Sequence, residues 1–95
     1  MTVYGEAAVA KLAKKHAASR KPLGRFLAIA RQARWPHFPA VRQSFPAADY
    51  APETGTLIFD ICGNKYRLVS VVNFDKQALL IREVLTHEEY SRESL

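Results

Sequence analysis

The sequence predicts an α+β fold in which an N-terminal helical hairpin packs on a twisted antiparallel β-sheet. Two observations support this prediction. Apolar residues recur at helical spacing between residues 6 and 34, and residues 56–85 are rich in β-branched residues with an alternating pattern. A third is the length of 95 residues, which suits a single domain over residues 1–95 with one modest core.

Two helices are predicted in the first half, over residues 6–17 and 20–34, and residues 2–4 favour a short opening strand. Ser19 is a suitable N-cap for the second helix, and Pro22 is tolerated in its first turn. Because the connection between the helices is short, we expect them to pack as an antiparallel hairpin.

A proline-rich connector follows over residues 36–55, with one helical turn near residues 39–44. Five large apolar side chains lie in or beside it: Trp35, Phe38, Val41, Phe45 and Tyr50. We interpret them as anchors that hold the connector to the core, and not as platforms for stacking bases.

The second half predicts a three-stranded antiparallel meander over residues 56–62, 65–74 and 78–85. Gly63 and Asn64 are typical of a tight two-residue hairpin turn. Alternation in the middle strand places Lys65 and Arg67 on an open face, away from the helices. Arg82 is predicted to share a side of its strand with Ala78, Leu80 and Val84, and its register against Arg67 stays open.

Charge is distributed unevenly along the chain, whose net charge is +5. Residues 1–50 carry nine Lys and Arg against two carboxylates, whereas residues 51–95 carry five against seven. A basic half favours a polyanion or an acidic protein as partner, although a merely solvated surface would look the same. The candidate contacts are the eight basic residues of the two helices: Lys11, Lys14, Lys15, Arg20, Lys21, Arg25, Arg31 and Arg34.

Several functional classes are disfavoured. The longest apolar run is far shorter than the roughly 20 residues that cross a bilayer, and no signal-peptide pattern opens the chain. The single cysteine, Cys62, is interpreted as a small core or edge residue and indicates a reducing compartment, the cytoplasm. We find no metal-ligand or cofactor-binding motif, and so expect no metal and no cofactor.

Among the three histidines, only His87 is singled out for chemistry. His16 is predicted to be a packed residue at the edge of an apolar stripe, and His37 a surface loop residue. His87 directly follows the last strand, with Tyr90 three residues on, and Thr86 and Glu89 have the spacing of a capping box. The simpler interpretation is that these residues only start and anchor a terminal helix.

A set of five residues suits metal-free cleavage of RNA: Lys65, Arg67, Arg82, His87 and Tyr90. In that reaction the 2′-hydroxyl attacks its own phosphorus, cations stabilise the charged phosphorane, and general acids and bases move the protons. Histidine is suited to proton transfer near neutral pH.

The segments 59–74 and 81–90 resemble the HigB family of bacterial toxins, in the RelE-like superfamily; the hairpin Gly-Asn-Lys-Tyr-Arg-Leu-Val and the ending Thr-His-Glu-Glu-Tyr are the most specific parts. The resemblance implies a RelE-like fold with its active site on the concave face of the sheet. It also implies an mRNA interferase, often ribosome-dependent, that a helix-turn-helix antitoxin of the HigA type neutralises.

The resemblance also assigns roles by position. Lys65 and Arg67 match the basic residues of the middle strand, Arg82 matches the arginine of the last strand, and His87 and Tyr90 match the C-terminal proton-transfer pair. Asp60 stands where similar sequences often have Asn, and Leu85 where Gly is common.

Two other functions stay open. One is a toxin of the same fold that inhibits a protein such as gyrase by binding alone, and the other is a degenerate toxin kept as a partner-binding module. His87 and Tyr90 favour the nuclease, because a purely binding toxin needs no proton-transfer pair. Some of the helical cations would meet an acidic antitoxin surface instead of RNA.

Overall fold

The computed structural model describes residues 1–93, and side chains through residue 91. In chain order the elements are β1 (Thr2–Tyr4), α1 (Glu6–Lys15), a 3₁₀ turn (Ala17–Ser19), α2 (Arg20–Gln32), α3 (Phe38–Ser44), β2 (Asp49–Ala51), β3 (Thr56–Ile61), β4 (Tyr66–Asn73), β5 (Ala78–Thr86) and α4 (His87–Glu93). The predicted α+β class is confirmed. No helix within the described residues is long and apolar enough to cross a membrane.

One sheet carries the fold, with strand order β1-β5-β4-β3-β2. The predicted meander forms its centre as β3, β4 and β5, paired antiparallel. The opening strand also forms, but β1 pairs in parallel with β5, so the sheet is mixed and not wholly antiparallel. The connector supplies the edge strand β2, which local sequence patterns did not predict.

The turn between β3 and β4 is longer than predicted. Ile61 pairs with Tyr66, which leaves the four residues 62–65 in the turn instead of two. Both Cys62 and Gly63 adopt left-handed backbone conformations, with φ of 57° and 66°. Glycine does so without a Cβ penalty, so Gly63 supports the turn that Cys62 begins. As a consequence, Lys65 lies in the turn and not in the middle strand.

The predicted position of Arg82 is wrong, because β5 contains a β-bulge. Val69 pairs with Glu83 but Ser70 pairs with Ile81, which leaves Arg82 as an extra residue. The bulge shifts the alternation, so that Val84 is buried while Arg82 is exposed. Arg82 therefore does not share a side with Val84, because an extra residue in one strand breaks the period of two.

The two N-terminal helices form the predicted hairpin around the 3₁₀ turn, and both pack on the sheet: α1 contacts β5, and α2 contacts β1 and β3. The predicted capping role of Ser19 is wrong. Ser19 is fully buried, and its hydroxyl donates to the carbonyl of His16 at 2.6 Å instead of capping α2. A buried hydroxyl needs a hydrogen-bond partner, and the carbonyl of His16 is the nearby acceptor. This hydrogen bond closes the turn between the helices.

An aromatic cluster forms the centre of the core. The Phe26 ring lies 4.7 Å from that of Phe59 and 5.3 Å from that of Phe45, and Trp35 contacts both Phe45 and Phe59. Edge-to-face pairs at such distances contribute about 0.5–1.5 kcal/mol each beyond their burial. The predicted anchoring of the connector is confirmed, since Trp35 and Phe45 reach this cluster from either side of α3.

Candidate active site

Charged and titratable side chains collect at one end of the sheet, which we call the rim. The rim consists of the turn 62–65, the segment 86–91 and the C-terminal end of α1 with His16. β3 ends, β4 begins and β5 ends here, because Tyr66 pairs with both Ile61 and Thr86. The topology thus places two of the segments that carried candidate residues next to each other.

Backbone and capping hydrogen bonds attach α4 to this rim. The Glu89 carboxylate accepts from the Thr86 N–H at 2.9 Å, and the Glu89 N–H donates to Thr86 Oγ1 at 3.1 Å, which confirms the predicted capping box. The His87 N–H donates to the carbonyl of Lys65 at 2.8 Å. Hydrogen bonds from the backbone and the side chain of Thr86 lower the pKa of the Glu89 carboxyl below its usual value.

Lys65 and His87 line one shallow cleft of about 560 Å³, which we call the His87 cleft. Both side chains are exposed. Asn64 and Tyr66 contribute to the same cleft from the turn and from the start of β4. The structure therefore brings together an ammonium and an imidazole that the sequence assigned to one site.

Arg67 lies on the open face of the sheet, beneath Tyr90. Its Nε is 3.1 Å from Oδ1 of Asp60, and its Nη2 donates to Oδ1 of Asn64 at 2.5 Å. The guanidinium carbon is 5.5 Å from the centre of the Tyr90 ring, a cation–π distance. Only 12% of the Arg67 side chain is exposed. Arg67 and Tyr90 are thus brought together, with the cation held in a fixed orientation.

Asp60 is a site residue whose role the sequence-based reasoning missed. It pairs directly with Arg67 across β3 and β4. The signal was available, because a hairpin centred between Gly63 and Asn64 places positions 60 and 67 opposite each other, and opposite charges on facing strands attract.

Arg82 lies apart from the other four candidates, in a neighbouring cleft of about 530 Å³ that we call the Arg82 cleft. Lys11 and Lys15 of α1 line this cleft, as does the capping residue Glu89. Glu83 lines it as well, so this groove between α1 and the end of β5 carries charges of both signs.

His16 and Thr86 line both clefts, so the two clefts are adjacent. The His16 ring is half-buried and packs at a tilt on Tyr66, with the ring centres 5.7 Å apart. The predicted packing of His16 is confirmed. Its place on the wall of the His87 cleft was not predicted, because the contact joins α1 to β4 across 50 residues.

The eight basic candidates of residues 11–34 are all exposed, but they form several groups, and Arg34 lies beyond the end of α2. Besides Lys11 and Lys15 at the Arg82 cleft, Lys21 and Arg25 line a cleft of about 310 Å³ with Asp60 on the other side of the turn. Arg31 forms an ion pair with Glu6 at the far end of α2. Cations thus surround the rim from both sides, while Arg31 is already neutralised.

Residues 1–93 contain no group of three His, Cys, Asp or Glu side chains arranged to hold a metal ion. Cys62 is half-buried within the turn. What the rim offers is therefore a pair of half-exposed or exposed imidazoles, an ammonium and a fixed guanidinium, which are groups that bind phosphate and move protons.

Comparisons with known proteins identify the family of the chain. A family model described as HigB_toxin, the RelE-like toxic component of a toxin–antitoxin system, matches residues 19–93. The chain is 48% identical over 33 residues to the mRNA interferase toxin HigB of Escherichia coli K12 and to the mRNA interferase HigB of Shigella flexneri. Each match covers 35% of this chain and 32% of the relative, so the matched segment spans about a third of those proteins.

Proposed function

Because the chain belongs to the HigB family of RelE-like toxins, we propose that it is a metal-independent endoribonuclease of a type II toxin–antitoxin system. It cleaves mRNA on the ribosome, in the cytoplasm, and so stops translation. The observation that carries this proposal is the His87 cleft. His87 and Lys65 both line this cleft, and the Arg67–Tyr90 pair lies beside it.

The positions of these groups support the following reaction. The substrate's 2′-hydroxyl attacks the adjacent phosphorus, the O2′–P bond forms, and the P–O5′ bond breaks. His87 gives its proton to the leaving 5′-oxygen, and Lys65 stabilises the negative charge on the phosphorane. Tyr90 accepts the proton of the 2′-hydroxyl or orients that hydroxyl. The products are a 2′,3′-cyclic phosphate and a free 5′-hydroxyl.

Arg67 contributes a fixed donor to the phosphate. Its Nε and Nη2 are engaged by Asp60 and Asn64, whereas Nη1 makes only long hydrogen bonds of 3.3 and 3.4 Å to backbone carbonyls. Nη1 is therefore the nitrogen that exchanges most easily to a phosphate oxygen. A cation held in place before substrate binds needs little reorganisation in the transition state.

The partners follow from family and charge. A toxin of this family has a cognate antitoxin, which we propose to be a HigA-like protein with a helix-turn-helix domain. The cations on either side of the rim, such as Lys15 and Lys21, contact the phosphates of mRNA or of ribosomal RNA. Arg82 binds a phosphate of the RNA in the Arg82 cleft. Since phosphate contacts release counterions, affinity for ribosomes should fall steeply with salt.

The decisive experiment uses purified toxin and a defined mRNA on programmed ribosomes. We expect products with 2′,3′-cyclic phosphate ends, and no cleavage when the nucleotide at the cut site is 2′-deoxy. A cut in the deoxy substrate would contradict attack by the 2′-hydroxyl. A cleavage rate that depends on which divalent cation is supplied, under conditions that keep the ribosome intact, would contradict the metal-free mechanism. Growth arrest with intact transcripts and broken DNA would support the gyrase-type alternative.

A further inference from the structure

We propose that His16 is the second proton-transfer residue of the rim: its imidazole accepts the proton of the 2′-hydroxyl while His87 protonates the leaving 5′-oxygen. This inference rests on the proposed function and deepens it. The observation behind it is that His16, Lys65 and His87, from three separate elements, line the same cleft of about 560 Å³.

The backbone of His16 is fixed. Its N–H donates to the carbonyl of Leu12 at 2.8 Å, and its own carbonyl accepts from the N–H and the hydroxyl of Ser19 at 2.9 and 2.6 Å. Ser19, the donor of two of these bonds, is fully buried. The chain leaves the helical conformation at His16, with φ of −127° and ψ of 85°, which ends α1 at the rim.

The His16 ring is held but remains accessible. It packs on the buried Tyr66 with ring centres 5.7 Å apart, and the residue is half-buried and lines the cleft. His16 also lines the same cleft as Lys65 and His87. An imidazole in a fixed place with one open side is what a general base requires.

Tyr90 is less well placed for the base role. Its ring lies over the Arg67 guanidinium, on the open face of the sheet. The residues of the His87 cleft include His16 but not Tyr90. In this arrangement Tyr90 orients the substrate against Arg67. The two imidazoles of the cleft transfer the protons to and from the substrate.

The proton balance is complete without any other reactant. The O2′ proton moves to neutral His16 as the O2′–P bond forms, and the proton of charged His87 moves to O5′ as the P–O5′ bond breaks. Cleavage therefore requires one imidazole neutral and the other protonated, which gives a bell-shaped dependence of rate on pH.

Side chains of both charges surround His16. The difference in the pH–rate profile between variants is therefore more informative than the pH at which the wild-type profile has its maximum. The cations near it are Lys11, Lys15, Lys65 and Arg82, together with protonated His87, and the carboxylates are Glu83, Glu88 and Glu89. Tyr66 is the remaining titratable group in contact with the ring.

The test compares His16→Gln, His87→Gln and the control His37→Gln in single-turnover cleavage. His37 is an exposed histidine next to α3, outside both clefts. We expect His16→Gln to lower the rate by about 10²–10⁴-fold and to remove the acidic limb of the pH profile, while His37→Gln changes neither. Circular dichroism and thermal melting check that each variant is folded, and His16→Asn replaces any His16→Gln protein that is not.

A substrate with sulfur in place of the bridging 5′-oxygen separates the two roles. Sulfur is a better leaving group and needs no general acid, so this substrate should restore cleavage by His87→Gln but not by His16→Gln. Added imidazole should restore cleavage by His16→Ala, which a purely structural role would not permit. If wild type cleaves and His16→Gln cleaves equally well, His16 is only a packing residue. If wild type does not cleave, the proposed function itself is wrong.

Discussion

The aromatic cluster and the rim are ordered by different forces. Phe26, Phe45 and Phe59 pack ring against ring at 4.7–5.3 Å and lie in the buried core or against it. At the rim, Lys65 and His87 are exposed, and their order comes from hydrogen bonds such as that between the His87 N–H and the Lys65 carbonyl. The chain thus separates the residues that stabilise it from the residues that we propose to be reactive, and each group should be alterable without the other.

Arg67 lies on the boundary between these regions, so Arg67→Ala should have the largest effect. We expect the cleavage rate to fall at least as much as in His87→Gln, since charge stabilisation and phosphate positioning are lost together. We also expect the free energy of unfolding to fall by about 1–3 kcal/mol, because Asp60 loses its charged partner. Single-turnover kinetics and urea denaturation measure the two effects.

The double variant Arg67→Ala/Asp60→Asn separates the two effects. Removing the orphaned carboxylate charge should recover most of the lost stability but none of the lost rate. If the rate recovers with the stability, Arg67 supports the fold and takes no part in the chemistry.

His87→Gln should change only the chemistry. Loss of one proton-transfer group lowers the rate by about 10²–10⁴-fold, whereas the exposed His87 side chain contributes little to packing. We therefore expect an unchanged melting temperature and unchanged antitoxin binding, measured by calorimetry on the purified complex. If the melting temperature falls together with the rate, the substitution has disrupted the packing of α4 and has not merely removed a general acid.

Phe59→Ala should produce the opposite result. Phe59 is fully buried and contacts three aromatic rings, and such substitutions cost about 3–5 kcal/mol of stability. The rate per folded molecule should stay near that of wild type at low temperature. A matched exposed change, Tyr4→Ala, should leave stability nearly unaltered, because more than half of Tyr4 is solvent-exposed.

The contrast between the two regions also explains what the sequence could predict. The three strands of the meander, apart from their exact ends, the anchoring aromatics and the capping box of Thr86 and Glu89 were predicted correctly, because each is encoded by neighbours within one element or one turn. The same local signals placed His87 after the last strand and Arg67 on the open face.

What could not be predicted depends on pairing between distant segments. The parallel pairing of β1 with β5 and the edge strand β2 arise from contacts far apart in the chain. The bulge at Arg82 shifts a register that hydrophobic alternation alone cannot reveal. The Ser19 hydroxyl bonds to the carbonyl of His16 where it was expected to cap α2. The catalytic roles of these residues stay predictions until they are measured.

The smallest expected effect concerns acid and the attachment of α4. The pKa of Glu89 is lowered by its hydrogen bonds to Thr86, so folding favours the ionised carboxyl. Its contribution to stability is therefore complete above the ordinary pKa of a glutamate, and it is lost as the pH falls through the lowered value. The protection factors of the α4 amides, which are corrected for the pH dependence of intrinsic exchange, should fall in that range, while those of the aromatic cluster stay high.

Glu89→Gln keeps the capping hydrogen bond without a titrating group, so its α4 protection factors should show no such fall. Thr86→Ala, which removes the cap at a cost of about 1 kcal/mol, should have low α4 protection factors at every pH. Equal acid sensitivity in wild type and Glu89→Gln would mean that some other group attaches α4, and that the rim is ordered more like the core than its exposed surface suggests.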